Sequence, residues 1–220
     1  MTKNKMQMKR LTLALCAAIL ACACAWADGG FADETITYKV MFKWGLINKR
    51  AGTVKMSLRN DGDMYQCMLA ASTASWADDF YKVRDTLTCT IRKAGFEPII
   101  YEKRSHEDQM YEHNIVSYFR EGGVTKANCS TYRTKKGKVK RDEKKVLEGE
   151  GVTLDMFSAY YYMRNLPYQD WSPGHTFKMN VFSGREKELL TIKYHGIEQI
   201  TFDDKTYDCY HITFLFTSDG

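Results

Sequence analysis

The stretch Thr35-Ile36-Thr37-Tyr38-Lys39-Val40-Met41-Phe42-Lys43-Trp44 decides the fold class. Ile36, Tyr38, Val40, Phe42 and Trp44 fall on one side of an extended chain, and Thr35, Thr37, Lys39 and Lys43 fall on the other. A period of two is the signature of a strand with one face buried. The same signal spreads outward. Gly45 to Gly52 forms a turn, Thr53 to Arg59 places Val54, Met56 and Leu58 inward, and Asn60-Asp61-Gly62-Asp63 closes a hairpin. Met64 to Thr73 is a third strand, richer in small residues, after which Ser75 to Lys82 loses the alternation and reads as a short helical turn. Thr86 to Arg92 then sets Leu87, Cys89 and Ile91 against Thr88, Thr90 and Arg92.

Pro98 to Arg104 and Asn114 to Phe119 are expected strands, with the polar stretch Ser105 to His113 as their connection. Val124 to Arg133 leads to a cationic tip at Thr134 to Lys138, and the basic run continues to Lys145. Asp142 and Glu143 interrupt that run and no aromatic lies between Arg133 and Lys145. It therefore reads as a solvated hairpin whose lysines protect its edges, not as a nucleic-acid surface. Four further strands are expected at Thr176 to Phe182, Leu189 to Tyr194, Ile197 to Phe202 and Tyr207 to Phe216.

The one long helix is expected over Leu154 to Asn165, capped by Thr153, with Asp155 at its positive end and Arg164 at its negative end. Met156, Phe157, Ala159, Tyr160, Tyr161, Tyr162 and Met163 leave it no clear polar face. Such a helix belongs inside the curve of a sheet or between two sheets. About ten strands and one buried helix predict a mainly β chain. The architecture is an antiparallel curved sheet, a partial barrel or a sandwich, in a single domain over residues 28–220.

At the N-terminus, Lys3, Lys5, Lys9 and Arg10 precede the apolar run Leu11 to Ala25, and Ala25-Trp26-Ala27 supplies small residues where a signal peptidase needs them. Residues 1–27 are therefore expected to be a signal peptide cleaved after Ala27, giving a soluble periplasmic protein. Ile19-Leu20-Ala21-Cys22 offers the alternative of an outer-membrane lipoprotein anchored through Cys22. Removing the signal takes four cations from the 32 Lys and Arg, leaving 28 against 27 acids. The formal charge drops from +5 to about +1. A global field that attracts nucleic acid is thereby excluded, and no later segment reaches the roughly 20 apolar residues of a membrane helix.

Four cysteines remain: Cys67, Cys89, Cys129 and Cys209. They contain no CxxC pair, which argues against a redox motif or zinc knuckle, and in an oxidising compartment they are the candidates for up to two disulfides. His106-Glu107-Asp108 with His113 is the densest ligand-like cluster but lies in the polar connection, so no metal site is assigned. Cys209 and His211 share a strand face about 7 Å apart, too far for a nucleophile pair. No Gly-x-Ser-x-Gly elbow or phosphate loop occurs. No catalytic residue and no cofactor are expected. Tyr38, Trp44, Tyr160 and Tyr161 are instead the candidate lining of a cleft for an apolar chain or a glycan.

The helix Leu154-Asp155-Met156-Phe157-Ser158-Ala159-Tyr160-Tyr161-Tyr162-Met163-Arg164, its Pro-Gly exit and the strand beyond resemble the signature of the exported family catalogued as domain of unknown function 3108. Tyr38 to Trp44 with Ala51-Gly52 is similar to that family's opening hairpin, and Val83-Arg84-Asp85 leading to Pro98 is similar to its middle. The resemblance implies an exported protein of Gram-negative envelopes with an antiparallel barrel-like or sandwich fold and no established activity. It also implies a further strand pair after Tyr207 to Phe216. The chain stops at Ser218-Asp219-Gly220, so a truncated product is expected. Taken together, the expected function is a non-enzymatic envelope module that binds a lipid or a glycan-linked ligand. A structural protein with an envelope partner is the alternative, and a hydrolase comes third.

Mass spectrometry of the exported protein is expected to show an N-terminus at Asp28. A diacylated Cys22 would reverse the choice of cleavage site.

Overall fold

The computed structural model describes residues 30–44 and 47–218, with only the strand backbone described for Trp44 and Ile47. The expected signal segment, with Cys22 and Ala27, lies outside these residues. The alternation that opens at Thr35 continues into an eight-stranded meander: β1 (Glu34–Trp44), β2 (Ile47–Asp61), β3 (Met64–Thr73), β4 (Val83–Arg92), β5 (Glu97–Glu107), β6 (Met110–Glu121), β7 (Val124–Lys135) and β8 (Lys138–Gly149). Each strand pairs antiparallel with the next. A short helix α1 (Ser75–Asp78) sits between β3 and β4, where the alternation lapses. Register breaks at Val40/Met41, Thr90/Ile91 and Arg133/Thr134 insert bulges that increase local twist and help the sheet to curve.

A second, curled sheet holds β9 (Thr153–Asp155), β10 (Thr176–Phe182), β11 (Lys187–Phe202) and β12 (Lys205–Ser218) in the order β12-β11-β10-β9. The fold is mainly β with one main helix, α2 (Met156–Arg164), as the alternation and the apolar helix together indicate.

Several elements differ from their sequence reading for identifiable reasons. Ser105 to His113 is mostly strand, with only Asp108 and Gln109 left at the turn and Asp108 in the left-handed region at φ 52. Ser105 and Glu112 point inward although they are polar, so the polarity pattern fails while the backbone stays extended. Leu189 to Phe202 is one strand because a bulge between Tyr194 and Gly196 absorbs the interruption. β9 pairs parallel with β10, which departs from a purely antiparallel reading. Thr153 is held by that pairing, so the helix begins only at Met156 and Asp155 is its N-cap.

α2 lies across the concave face of the large sheet. Phe157 and Tyr161 join Leu58, Tyr65, Cys67, Cys89, Ile91 and Tyr101 in one core, while Ala159 packs into a second with Met179, Val181, Leu190 and Ile192. Tyr162 touches both. Each large apolar side chain buried in this way contributes about 1.5–3 kcal/mol. The two sheets also meet at the β10–β11 turn, where Thr131 Oγ1 donates to the Gly184 carbonyl at 3.0 Å. Gly184 has φ +88, and a Cβ there would come within 3.0 Å of the Asn114 Cβ, so the close approach requires glycine.

The helix is fastened at Asp155. Its Oδ1 accepts from the backbone N–H groups of Phe157 and Ser158, both at 2.8 Å, and its Oδ2 accepts from the Ser158 hydroxyl at 2.8 Å and the Cys89 thiol at 3.2 Å. The Ser158 hydroxyl in turn accepts from the Asp155 N–H at 3.0 Å, completing a capping box. Asp155 has no exposed surface, and burial raises its pKa above 3.8 against the opposing pull of those donors.

Because the fold favours the protonated acid, the contribution of Asp155 to stability is complete below pH 3.8 and is lost as pH rises through the raised folded value. Asp155→Asn keeps the Oδ1 acceptor but cannot ionise, so its thermal midpoint is expected to fall less than that of the wild type between about pH 4 and pH 8. Asp155→Ala, which also strands the Phe157 and Ser158 N–H groups, is expected to cost about 2 kcal/mol or more at every pH. Parallel wild-type and Asn pH profiles would show that the carboxyl is not perturbed.

Candidate ligand-binding site

The tyrosines expected to line a cleft are placed by α2 and β1. The Tyr38 and Tyr160 hydroxyls are 3.1 Å apart. The Arg164 guanidinium pairs with Glu34 and stacks over Phe31, Tyr160 and Tyr161 at 4.8, 5.5 and 5.5 Å. Burial first, and the bond to Tyr38 second, push the Tyr160 pKa well up. Tyr161 has no exposed surface, and its hydroxyl has no partner among the described residues. These three rings clamp the helix to the sheet. The Trp44 side chain lies outside the described residues.

Cys67, Cys89, Cys129 and Cys209 are buried, and Cys67 and Cys89 stand directly opposite each other on β3 and β4. Burial lifts Cys67 to about 12 and Cys129 to about 11, and burial with the neighbouring Asp155 also raises Cys89. The histidines are scattered. The His106 ring lies 4.6 Å from that of Tyr111, tilted by 41°, and His113 Nε2 lies 2.6 Å from Glu102. His211 sits on the β11–β12 hairpin, 3.2 Å from Glu198 and beside the His195 ring. Among the described residues, no three His, Cys, Asp or Glu side chains converge as metal ligands.

An open cleft of about 600 Å³ lies where three connections meet the helix. The turn after β4 brings Arg92 and Phe96, the start of β5 brings Glu97 and Pro98, and the β6–β7 turn brings Phe119 and Arg120. Val152 and Leu154 close it from the side of β9, and Tyr162 projects into the lining from α2. Its walls are mostly apolar, with two arginines beside them. Arg92 is 3.7 Å from Asp63 and 4.0 Å from Glu97, and Arg120 is 3.3 Å from Glu97. All of these ion pairs are exposed and hold their cations loosely. Tyr118 is also in the lining, stacked on Phe182 at 5.8 Å, and its hydroxyl has no hydrogen-bond partner among the described residues.

At the other end of the concave face, Glu112 is enclosed between Lys103 at 3.8 Å and Arg133 at 3.6 Å and accepts from Asn114 Nδ2 at 3.0 Å. This ionic cluster compensates the desolvation of its carboxylate from both sides.

Of the cleft residues, only Tyr162 belongs to an element whose aromatics stand out in the sequence. Arg92, Phe96, Phe119 and Arg120 lie at strand ends and turns far apart in the chain, and they converge only because the meander returns every second turn to the same edge. A family model described as "Protein of unknown function (DUF3108)" matches residues 36–220. No curated protein and no solved structure matches the chain.

Raised pKa values and burial together make Cys67, Cys89 and Cys129 poor nucleophiles in the fold. At pH 8 a thiol reagent is expected to modify them at least about 100-fold more slowly in native protein than in denaturant. Comparable rates in the two conditions would show that these strands open readily.

Proposed function

The chain belongs to the DUF3108 family of proteins of unknown function, and from that premise we propose that it is an exported, non-catalytic binding module of the Gram-negative envelope. Its ligand is an amphiphile, an apolar chain joined to an anionic or glycan-linked head. The observation that carries this reading is the cleft beneath Tyr162, whose volume of about 600 Å³ lies within the range of small-molecule sites. Phe96, Pro98, Phe119, Val152 and Leu154 suit an apolar chain, and the exposed guanidiniums of Arg92 and Arg120 suit an acidic head. A ligand anion has to displace Glu97 from Arg120, which is an inexpensive exchange for an exposed pair.

A second reading, an interaction protein of an envelope assembly, draws on β12. Among the described residues β12 hydrogen-bonds only to β11, and Ile212 to Ser218 carries no charge and no proline to guard that edge. Co-purification of one defined partner that is lost in Leu215→Lys would favour this reading.

Native mass spectrometry of gently extracted protein is expected to show a bound amphiphile. A fluorescent fatty acid is expected to bind the same cleft, with an affinity reduced about tenfold in Phe119→Asp from the loss of apolar contact. In Arg120→Glu the fatty acid is expected to lose affinity while the matching fatty alcohol does not. Unchanged affinity in both variants, with no co-purified ligand, would sink the proposal.

A further inference from the structure

The end of the sheet opposite the cleft carries an exposed cluster that the ligand site does not use. β1 and β2 extend past β3, whose last residue Thr73 pairs with Gly52. The ladder from Met41 to Trp44 and from Ile47 to Arg50 therefore stands beyond the rest of the sheet. α1 folds back against this overhang. The Ala74 N–H donates to the Ala51 carbonyl at 2.7 Å, and the Trp76 indole N–H donates to the Arg50 carbonyl at 2.9 Å. Asp78 locks the segment from behind through Arg84 at 2.6 Å and through the Thr73 hydroxyl. Phe42, Trp76 and Phe80 form a chain of edge-to-face rings, each 6.3 Å from the next. Lys49 Nζ stands 4.8 Å over the Trp76 ring.

These rings are not core. Phe80 is 81% exposed, Met41 52%, Tyr81 47% and Phe42 41%. Lys43, Lys49, Arg50 and Lys82 on the same segments are exposed, with Lys49 opposite Phe42 and Arg50 opposite Met41 in the β1–β2 ladder. The charge is one-sided along the hairpin: Thr35 to Asn60 contains six cations (Lys39, Lys43, Lys49, Arg50, Lys55, Arg59) and no acid. Acids border the cluster on the flank of α1 and the β5–β6 turn, where Asp79 and Asp108 are exposed, the Asp108 N–H donates to the Lys82 carbonyl at 2.7 Å, the Tyr81 hydroxyl donates to Glu107 at 2.8 Å, and Asp85 lies near the same ring.

We propose that this tip is a docking surface for an anionic lipid bilayer. Exposed aromatic rings interleaved with lysine and arginine match the boundary between headgroups and acyl chains. The rings protrude from a hairpin end and a braced loop, a shape that inserts into a deformable surface. The bracing keeps them projecting in the absence of lipid, so little order has to be gained on docking. Binding is peripheral and reversible, because four to five side chains enter the interface and no element spans it.

The test is flotation of the processed, exported chain with vesicles of phosphatidylglycerol and phosphatidylethanolamine, and with vesicles of phosphatidylcholine alone. The wild type is expected to float with the anionic vesicles, to bind the zwitterionic ones at least about tenfold more weakly, and to be released by salt. Phe80→Ser and the double variant Lys49→Glu/Arg50→Glu change exposed side chains, and circular dichroism melts verify that each folds. Each is expected to cut binding to anionic vesicles about tenfold or more while leaving binding of the fluorescent fatty acid unchanged. Absence of vesicle binding by the wild type, equal binding to both vesicle types, or full binding by folded variants would overturn the proposal.

Discussion

A single buried carboxyl group ties the three parts of this molecule together. Asp155 closes β9, begins α2 and accepts a hydrogen bond from the Cys89 thiol on β4 of the large sheet. The helix macrodipole and two backbone N–H groups offset part of its desolvation, and the remainder is reflected in a raised pKa. A cap at a helix surface would fix only the helix. This one fixes the helix against the sheet, because its second oxygen is satisfied by Ser158 and Cys89 at once. The entry angle of α2, and hence which tyrosines face inward, follows from that geometry.

With α2 so placed, the apolar half of the concave face is filled. Tyr161 and Phe157 occupy space that an open half-barrel would leave to a ligand, and Tyr160 is tied to Tyr38. Room for a ligand is displaced to the rim, where turns cannot pack as tightly as strands. The cleft beneath Tyr162 is therefore a consequence of the helix and not a gap beside it. The polar half of the concave face follows a different rule. Glu112 is tolerated there because Lys103 and Arg133 flank it from the two neighbouring strands and Asn114, two residues on in its own strand, donates to it.

Alternation at Thr35 to Arg59 and at Thr86 to Arg92 made the strands and their inward faces legible, because a sheet with one wet face prints its period on the sequence. It failed at Ser105 to His113, where Ser105 and Glu112 face inward through polar compensation that only the folded sheet supplies. The enclosed helix was legible from Met156 to Met163, yet its cap was not: Thr153 has the right chemistry but is committed to β9, a three-residue strand too short to show a period. The family was legible too, and its model matches residues 36–220. The cleft was invisible for a topological reason. Phe96, Phe119 and Tyr162 are neighbours only after eight strands have been laid side by side.

The meander also separates the two surfaces for which functions are proposed. Cleft residues sit at the end of β4, the start of β5 and the end of β6, whereas the basic aromatic tip sits at the β1–β2 overhang and before β4. A strand such as β5, with 11 residues, puts roughly 33–36 Å between those ends. A bilayer held by the tip is then too far away for a ligand to pass directly from its headgroup layer into the cleft. With the tip docked as proposed, the cleft faces away from the bilayer, toward the aqueous side. In that orientation a bound amphiphile is presented away from the membrane, which suits capture from or transfer to a soluble carrier, and exchange with the docked bilayer itself requires the protein to let go and turn.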